Sequence, residues 1–271
     1  MNGRPYAEVI GDPIAHSKSP LIHNFWLGKL GIDAEYRACH VRADELEKYF
    51  TQRRGDAEWR GCNVTIPHKE SCLALLDGVH RTARKIGAVN TINKGRDGGL
   101  HGRNTDVDGI WRTLDGMVSR YEKQVVIIGA GGAARAMCAA IAPLNPARVT
   151  IVNRSPDKAK VLLDRFNLIG EVGNFGSLPP VDLVVNASPL GMIGKPPLPV
   201  SLDQQCPETF VFDMVYAPQE TELLTEARAR GLRVANGLTM LVEQAAAAFG
   251  SFFESSAPRE YDAELRTLLT A

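Results

Sequence analysis

The run Val125-Val126-Ile127-Ile128-Gly129-Ala130-Gly131-Gly132-Ala133-Ala134 constrains the fold of this chain more than any other. Consecutive β-branched residues read as a strand buried on both faces, the kind found in parallel sheets. The glycines that follow at once leave room only for a tight turn into an alanine-rich helix. The spacing fits G-x-G-x-x-G/A: Gly129 turns the backbone, Gly131 lets it approach a pyrophosphate, and Ala134 keeps the helix close to the strand. The helix N-terminus adds unpaired N–H groups and a partial positive charge for the phosphates. A pair of glycines alone is turn chemistry. The strand before and the helix after make Gly129, Ala130, Gly131, Gly132 and Ala133 candidate cofactor-binding residues.

This turn lies near the middle of 271 residues, a length that suits two domains. A nucleotide unit therefore starts about halfway along, and the first hundred or so residues have another task. Lys plus Arg and Asp plus Glu number 31 each, so net charge points to neither nucleic acid nor an anionic membrane as partner. No apolar run approaches the length of a membrane span and the N-terminus has no apolar leader core, which predicts a cytoplasmic protein. The five scattered cysteines form no C-x-x-C pair and the histidines no H-E-x-x-H, so reduced thiols and no metal site are expected.

In the first half, Ala7 to Pro13 reads as a short strand and turn, followed by His16-Ser17-Lys18-Ser19-Pro20-Leu21-Ile22-His23-Asn24-Phe25-Trp26. Ser19 before Pro20 predicts an N-cap and a helix from Pro20, with Leu21, Phe25 and Gly28 on one face. Ser17 and Ser19 then stand at the positive end of that helix, where they either hold a small carboxylate or only cap and turn the chain. Glu35 to Val41 is a second candidate strand, and Ala43 to Arg53 a helix with Leu46, Tyr49 and Phe50 on one side. This alternation implies an α/β domain with a largely parallel sheet.

Next comes Gly61-Cys62-Asn63-Val64-Thr65-Ile66-Pro67-His68-Lys69-Glu70. Val64 and Ile66 read as strand positions, with Asn63 and Thr65 together on the opposite face. Pro67 predicts the start of a helix carrying Leu73, Leu75, Leu76 and Val79, with Lys69 in its first turn. A cation is disfavoured there by the helix dipole, so Lys69 reads as placed for chemistry rather than stability; a solvated lysine is the alternative. Ile86 to Ile92 and Leu100 to Asp106 read as extended segments joined by a hairpin at Lys94 to Gly99. They leave Asn90 and Asp106 at segment edges, where Asp106 either caps the next helix or orients Lys69 for proton transfer.

In the second half, Ala147 to Ser155 is a buried strand ending where a dinucleotide fold reads the ribose. Asn153 and Arg154 stand there in place of an acid. An acid would repel a 2′-phosphate and Arg154 can fork onto one, which favours NADP over NAD. Val181 to Met192 is a further strand, with Ala187 and Ser188 at the end facing the same crevice, and Gly194 to Pro199 forms a loop. Phe210 to Asp213 repeats strand then loop at Met214 and Tyr216, either of which can serve packing alone. Thr221 to Arg230 reads as a helix ended by Gly231, Arg233 to Gly237 as a strand and turn, and Leu238 toward Phe253 as an apolar helix.

Five motifs in order, S-x-S-P-x-x-H-N at Ser17 to Asn24, N-V-T-x-P-x-K at Asn63 to Lys69, G-A-V-N-T at Gly87 to Thr91, N-T-D-x-x-G at Asn104 to Gly109 and G-A-G-G-A at Gly129 to Ala133, resemble the shikimate dehydrogenase family over nearly the whole chain. The resemblance implies an α/β fold with an N-terminal substrate domain, residues 1–107, completed by C-terminal helices at 238–271, and a Rossmann-like NADP-binding domain at 108–237. It implies the family reaction, reversible NADPH-dependent reduction of 3-dehydroshikimate to shikimate on the route to aromatic amino acids. It further implies that Ser17 and Ser19 bind the substrate carboxylate, that Asn63, Thr65, Asn90 and Asp106 surround the ring hydroxyls, and that Lys69 and Asp106 form the catalytic pair. Tyr216 and Gln244 would also touch substrate. Asn153, Arg154 and Ser155 would clamp NADP, Met214 would lie near the nicotinamide, and Ala187, Ser188 and Gly237 would complete the cofactor site. The chain departs from the family at Ser155, usually threonine, and at Thr239, usually glycine. A quinate/shikimate dehydrogenase of broader use and a non-catalytic NADP sensor are the alternatives, and both monomer and homodimer stay open.

Overall fold

Tyr6–Gly11 (β1) is buried along its whole length, which requires a neighbour on each side. It pairs in parallel with Glu35–His40 (β2) and Trp59–Val64 (β3). The computed structural model describes residues 3–115 and 123–270. These divide into two compact units, Met1–Thr105 with Gln244–Ala271, and Asp106–Glu243. The first unit's sheet is completed by Gly78–Val79 (β4), Thr91–Lys94 (β5) and Leu100–Arg103 (β6), in the order β2-β1-β3-β5-β6-β4. Only β5 runs against its neighbours, as the arm of a hairpin, so the sheet is mixed rather than purely parallel.

Helices cover the two faces of this sheet. Ser19–Leu30 (α1) and Leu46–Gly55 (α2) carry the main apolar contacts, and Arg81–Ile86 (α3) ends at Gly87 in the left-handed conformation. α2 buries Leu46, Tyr49 and Phe50 against Tyr6, Ile10, Trp59 and Val64. The one buried carboxylate of β1, Glu8, is matched there by Arg53 at 2.8 Å, Arg37 at 3.1 Å and the Tyr49 hydroxyl at 2.7 Å, which a buried charge requires.

Several expectations fail for reasons the fold makes plain. The first helical residue is Ser19, with Lys18 as N-cap, because the Ser17 hydroxyl already accepts the Ser19 N–H at 3.3 Å. The buried face of α1 is Ile22, His23, Trp26 and Leu27, while Leu21 is exposed. Ile66 does not extend β3: it sits in a turn and is 74% exposed. No α-helix follows Pro67. Residues 66–70 form turns, Ser71–Leu75 is a short 3-10 segment, and Gly78 and Val79 are drawn into strand pairing with His101 and Gly102. Sheet pairing overrides the leucine spacing, and the dipole argument for Lys69 falls with the helix. Ile86 belongs to α3 rather than to an extended segment.

The second unit opens with Asp106–Leu114 (α4) and continues through Gln124–Ile128 (β7), Gly132–Ile141 (α5), Arg148–Val152 (β8), Pro156–Phe166 (α6) and Gly170–Gly173 (β9). A small pair, Gly176–Ser177 (β10) with Val200–Ser201 (β12), flanks Leu183–Asn186 (β11) in sequence; Phe210–Asp213 (β13), Glu222–Ala229 (α7) and Arg233–Asn236 (β14) follow. The sheet order is β14-β13-β11-β7-β8-β9, and every pair is parallel. Counting only these strands from β7, the order is 6-5-4-1-2-3, the doubly wound dinucleotide arrangement, with its switch point between β7 and β11.

Gly237–Phe253 (α8) then carries the chain from the second unit into the first, and Asp262–Thr270 (α9) ends it. The later part of α8 places Phe249 and Phe252 beside His23, Trp26 and Tyr36, while Lys18 Nζ donates to the Leu269 carbonyl at 2.7 Å. The C-terminal helices thus return to the first unit.

Candidate active site

Parallel strands end at the same edge of a sheet, so chain direction decides which loops meet. In the first unit β1, β3 and β6 run one way and β5 the other. The segments after β1, β3 and β6 therefore share an edge with the residue before β5, Asn90. Backbone bonds tie them together: Thr65 N–H to Ile10 O at 3.0 Å, Asp12 to Ile66 at 3.1 Å, Val89 to Lys69 at 2.8 Å and Asn90 to Arg103 at 3.1 Å. Ser17, Ser19, Thr65, Lys69 and Asn90 thus gather along one edge, with Ser19 and Asn90 buried and Ser17, Thr65 and Lys69 half-buried.

Gln244 reaches the same group from α8, its Oε1 lying 3.5 Å from Asn90 Nδ2 and 3.4 Å from Thr105 Oγ1. Asn63 turns inward. Its Oδ1 accepts from the Tyr36 hydroxyl at 2.6 Å, and its Nδ2 donates to Asn90 O and Thr91 Oγ1, both at 3.0 Å. Asp106 follows Thr105 directly as the first residue of α4 and of the second unit, and is buried.

In the second unit the glycine turn follows β7 at the switch point. Gly129 has φ +111°, and a Cβ there would come within 2.9 Å of the Ala187 carbonyl oxygen, so only glycine makes this turn without strain. A Cβ on Gly131 or Gly132 would meet no atom within 4 Å, and the N-cap of α5, Gly131, supplies no side-chain cap. Open ground above uncapped N–H groups is what a diphosphate needs, so the turn fits a dinucleotide. Ala133 continues α5, and Ala130 lies in the turn itself.

After β8, Asn153 Nδ2 donates to the Ser155 carbonyl at 2.9 Å, Ser155 is the N-cap of α6, and Arg154 between them is exposed. After β11, Ala187 N–H bonds to Ile128 O at 2.8 Å, which holds that loop beside the glycine turn. Gly237 packs where a Cβ would lie 2.2 Å from the Met214 carbonyl, so α8 starts hard against the loop after β13. Met214 is half-buried and Tyr216 is 37% exposed on that loop.

Further residues escaped the sequence reading. Thr91, Thr105 and Tyr36 tie the first unit's amides together. In the second unit Asp213 takes Asn186 Nδ2 at 3.0 Å and the Thr221 hydroxyl at 2.6 Å, while Asn186 Oδ1 accepts from Ser188 Oγ at 2.7 Å. Burial raises the Asp213 carboxyl above the usual range against the pull of these donors. The signal for the threonines was their place beside asparagine in G-A-V-N-T and N-T-D. Burial drives the Cys72 and Cys138 thiols up to about 12, so neither is a nucleophile near neutrality. Among the described residues no group of three or more His, Cys, Asp and Glu is placed to hold a metal, and no helix is long and apolar enough to cross a membrane.

A doubly wound sheet with a glycine cradle at its switch point, in a chain whose other α/β unit carries a polar strand edge, defines the class of dinucleotide-dependent α/β dehydrogenases. Comparison with known proteins narrows this. Residues 9–92 match the shikimate dehydrogenase substrate binding domain and residues 114–187 the shikimate / quinate 5-dehydrogenase family. The shikimate dehydrogenase (NADP(+)) of Sphingopyxis alaskensis is 50% identical over 98% of this chain and 97% of its own. The shikimate 5-dehydrogenase of Thermus thermophilus, solved with NADP(H) and shikimate, superposes with a TM-score of 0.86 at 33% identity, covering 97% of this chain and 99% of its own. The ligand-free 5-ketofructose reductase of Gluconobacter sp. strain CHM43 has the same fold, with a TM-score of 0.91 at 31% identity over 99% of this chain and all of its own. The chain belongs to the shikimate dehydrogenase family.

Proposed function

We propose that the protein is an NADP-dependent shikimate dehydrogenase that interconverts 3-dehydroshikimate and shikimate. In this reading the first unit holds the substrate and the second holds the cofactor. The observation that carries it is the gathering of Ser17, Ser19, Thr65, Lys69, Asn90 and Gln244 at one end of the first unit, in a chain 50% identical to a shikimate dehydrogenase (NADP(+)).

Ser17 and Ser19, at the start of α1, bind the substrate carboxylate through hydroxyl and backbone donors. Thr65, Asn90 and Gln244 bind ring hydroxyls, Asp106 orients the ring, and Tyr216 contacts substrate. Gly129, Ala130, Gly131, Gly132 and Ala133 hold the diphosphate, and Asn153, Arg154 and Ser155 hold the ribose phosphate. Ala187, Ser188 and Gly237 would complete the cofactor site, with Met214 near the nicotinamide. NADPH, when bound, supplies the hydride that reduces the C3 carbonyl. Lys69 donates a proton to the carbonyl oxygen as negative charge develops there, and Asp106 holds the ammonium group in line. In the reverse direction Lys69 takes that proton from the hydroxyl.

The test is to mix the protein with 3-dehydroshikimate and NADPH, follow loss of the reduced cofactor, and identify the product. Stoichiometric shikimate is expected. Tight NADP binding without turnover would replace the reading with the sensor.

A further inference from the structure

The diphosphate cradle of the second unit is bare backbone, but the two loops beside it hang on side chains. Asn186 and Asp213 end the neighbouring strands β11 and β13 and are register partners there. Both are fully buried. The loop after β11 follows directly on Asn186, and its Ala187 carbonyl is the group that lies against Gly129. The loop after β13 begins with Met214, between Asp213 and Val215.

Asn186 holds its own loop with its whole amide. The Leu190 carbonyl can only accept, so the Asn186 atom 3.0 Å from it is the amide nitrogen. The Ser188 N–H can only donate, so the atom 3.1 Å from it is the amide oxygen. That oxygen also accepts from the Ser188 hydroxyl at 2.7 Å, and the hydroxyl in turn accepts the Leu190 N–H at 3.2 Å. The second amide hydrogen of Asn186 crosses to Asp213 Oδ1 at 3.0 Å.

Asp213 joins the two loops. Its Oδ1 takes the Val215 N–H at 3.0 Å as well as the Asn186 amide, so the side chain brackets Met214, whose own N–H bonds to the Asn186 carbonyl at 3.0 Å. Its Oδ2 takes the Thr221 hydroxyl at 2.6 Å, and Thr221 caps α7 by accepting the Leu224 N–H at 3.3 Å. These three partners are neutral. An acid buried among neutral donors costs stability, and costs of that kind collect at functional sites.

We propose that Asn186 and Asp213 are positioning residues for hydride transfer, which join the loops after β11 and β13 into one ledge that sets where the nicotinamide rests. The inference rests on the reading that Ala187, Ser188 and Met214 belong to the cofactor site, with Met214 near the nicotinamide. It gives Ser188 the task of shaping the ledge, because its N–H and its hydroxyl both go to Asn186 Oδ1. Without the Asp213 carboxylate, the Val215 N–H and one Asn186 hydrogen lose their acceptor. The bonds of Asp213 lie in these two loops and at the start of α7, so its loss should leave the 2′-phosphate end of the cofactor site as it is.

The experiment uses Asp213→Ala and Asp213→Asn. It measures kcat for 3-dehydroshikimate reduction, and affinity for adenosine 2′,5′-bisphosphate, the part of NADP that carries the 2′-phosphate but no nicotinamide. Asp213→Ala deletes all three bonds. It should lower kcat by about a hundredfold, the cost of misplacing a reacting group by about 1 Å, and leave bisphosphate affinity within about twofold. Asp213→Asn keeps an oxygen for Asn186 and Val215, and should run at least about tenfold faster than the alanine variant. An unchanged kcat in folded Asp213→Ala, a parallel fall in bisphosphate affinity, or an asparagine variant no faster than the alanine one overturns the proposal. If Asp213→Ala does not fold, Ser188→Ala decides: it removes two bonds of the same ledge and should lower kcat by about threefold with bisphosphate affinity unchanged, and an unchanged kcat overturns the proposal. Failure of the functional reading shows separately, as absence of turnover in the unsubstituted protein.

Discussion

The two units present opposite kinds of surface. At its polar edge the first unit presents side chains whose orientations are locked from behind by other buried side chains, as when Tyr36, Asn63 and Thr91 back Asn90. The second unit presents bare backbone: Gly131 and Gly132 face open space at the start of α5. The difference teaches how a chain divides its work. Backbone N–H groups suit a diphosphate, which is common to every dinucleotide, whereas a ring with several hydroxyls needs donors and acceptors of fixed polarity. Specificity for substrate therefore costs a buried network, and affinity for cofactor needs mainly an empty cradle.

The largest test of this division is Lys69→Ala. It should lower kcat by about a thousandfold, the usual range for a lost general acid, while NADP binding by titration calorimetry stays within twofold. Loss of NADP binding in step with turnover would break the contrast. Arg154→Ala sharpens it from the other side: removing one charge-assisted contact should weaken NADP by roughly ten- to a hundredfold and leave NAD and shikimate unaffected. Fluorescence titration with each cofactor checks this.

How much of this was legible in the sequence follows the same division. The second unit could be read closely, because a buried β-branched run followed by glycines leaves one geometry, and Gly129 needs its positive φ wherever the sheet is doubly wound. In the first unit the motifs located the edge but not the local structure. The helix expected after Pro67 is absent because Gly78 and Val79 pair with β6, a long-range contact that no local pattern shows. Strand alternation gives Asn63 a face, while its partners Tyr36, Asn90 and Thr91 show only in the fold. Thr91 and Thr105 looked like ordinary strand and loop residues, and only their shared partner, Asn90 Oδ1, reveals their task.

Two smaller effects complete the series. His23 is buried between Tyr36 and Phe249, and burial pushes it down to about 3. The unfolded chain then binds a proton below the usual histidine range that the folded chain does not, so stability falls as pH falls from about 6.5 toward 3. His23→Phe keeps the stack and removes this proton uptake. Between pH 7 and pH 5 the unsubstituted protein should lose about 2 kcal/mol relative to the variant in urea melts; equal slopes would show that His23 is charged in the fold. Gly131→Ala adds a methyl that meets no protein atom but enters the diphosphate ground. It should reduce NADP affinity by roughly tenfold or less and lower stability by no more than about 1 kcal/mol, since alanine is a poorer N-cap than glycine. A large loss of stability would mean that the cradle is structural.

The most direct measurement of the whole account is the specificity constant for shikimate oxidation with NADP, set beside the same constant for shikimate with NAD and for quinate with NADP. The account predicts that shikimate with NADP exceeds each of the others by at least about tenfold, the value of one charge-assisted contact at Arg154 or one misplaced hydroxyl at the first unit's edge. Equal constants with NAD would contradict the role of Arg154, and equal constants with quinate would contradict a first unit of fixed polarity.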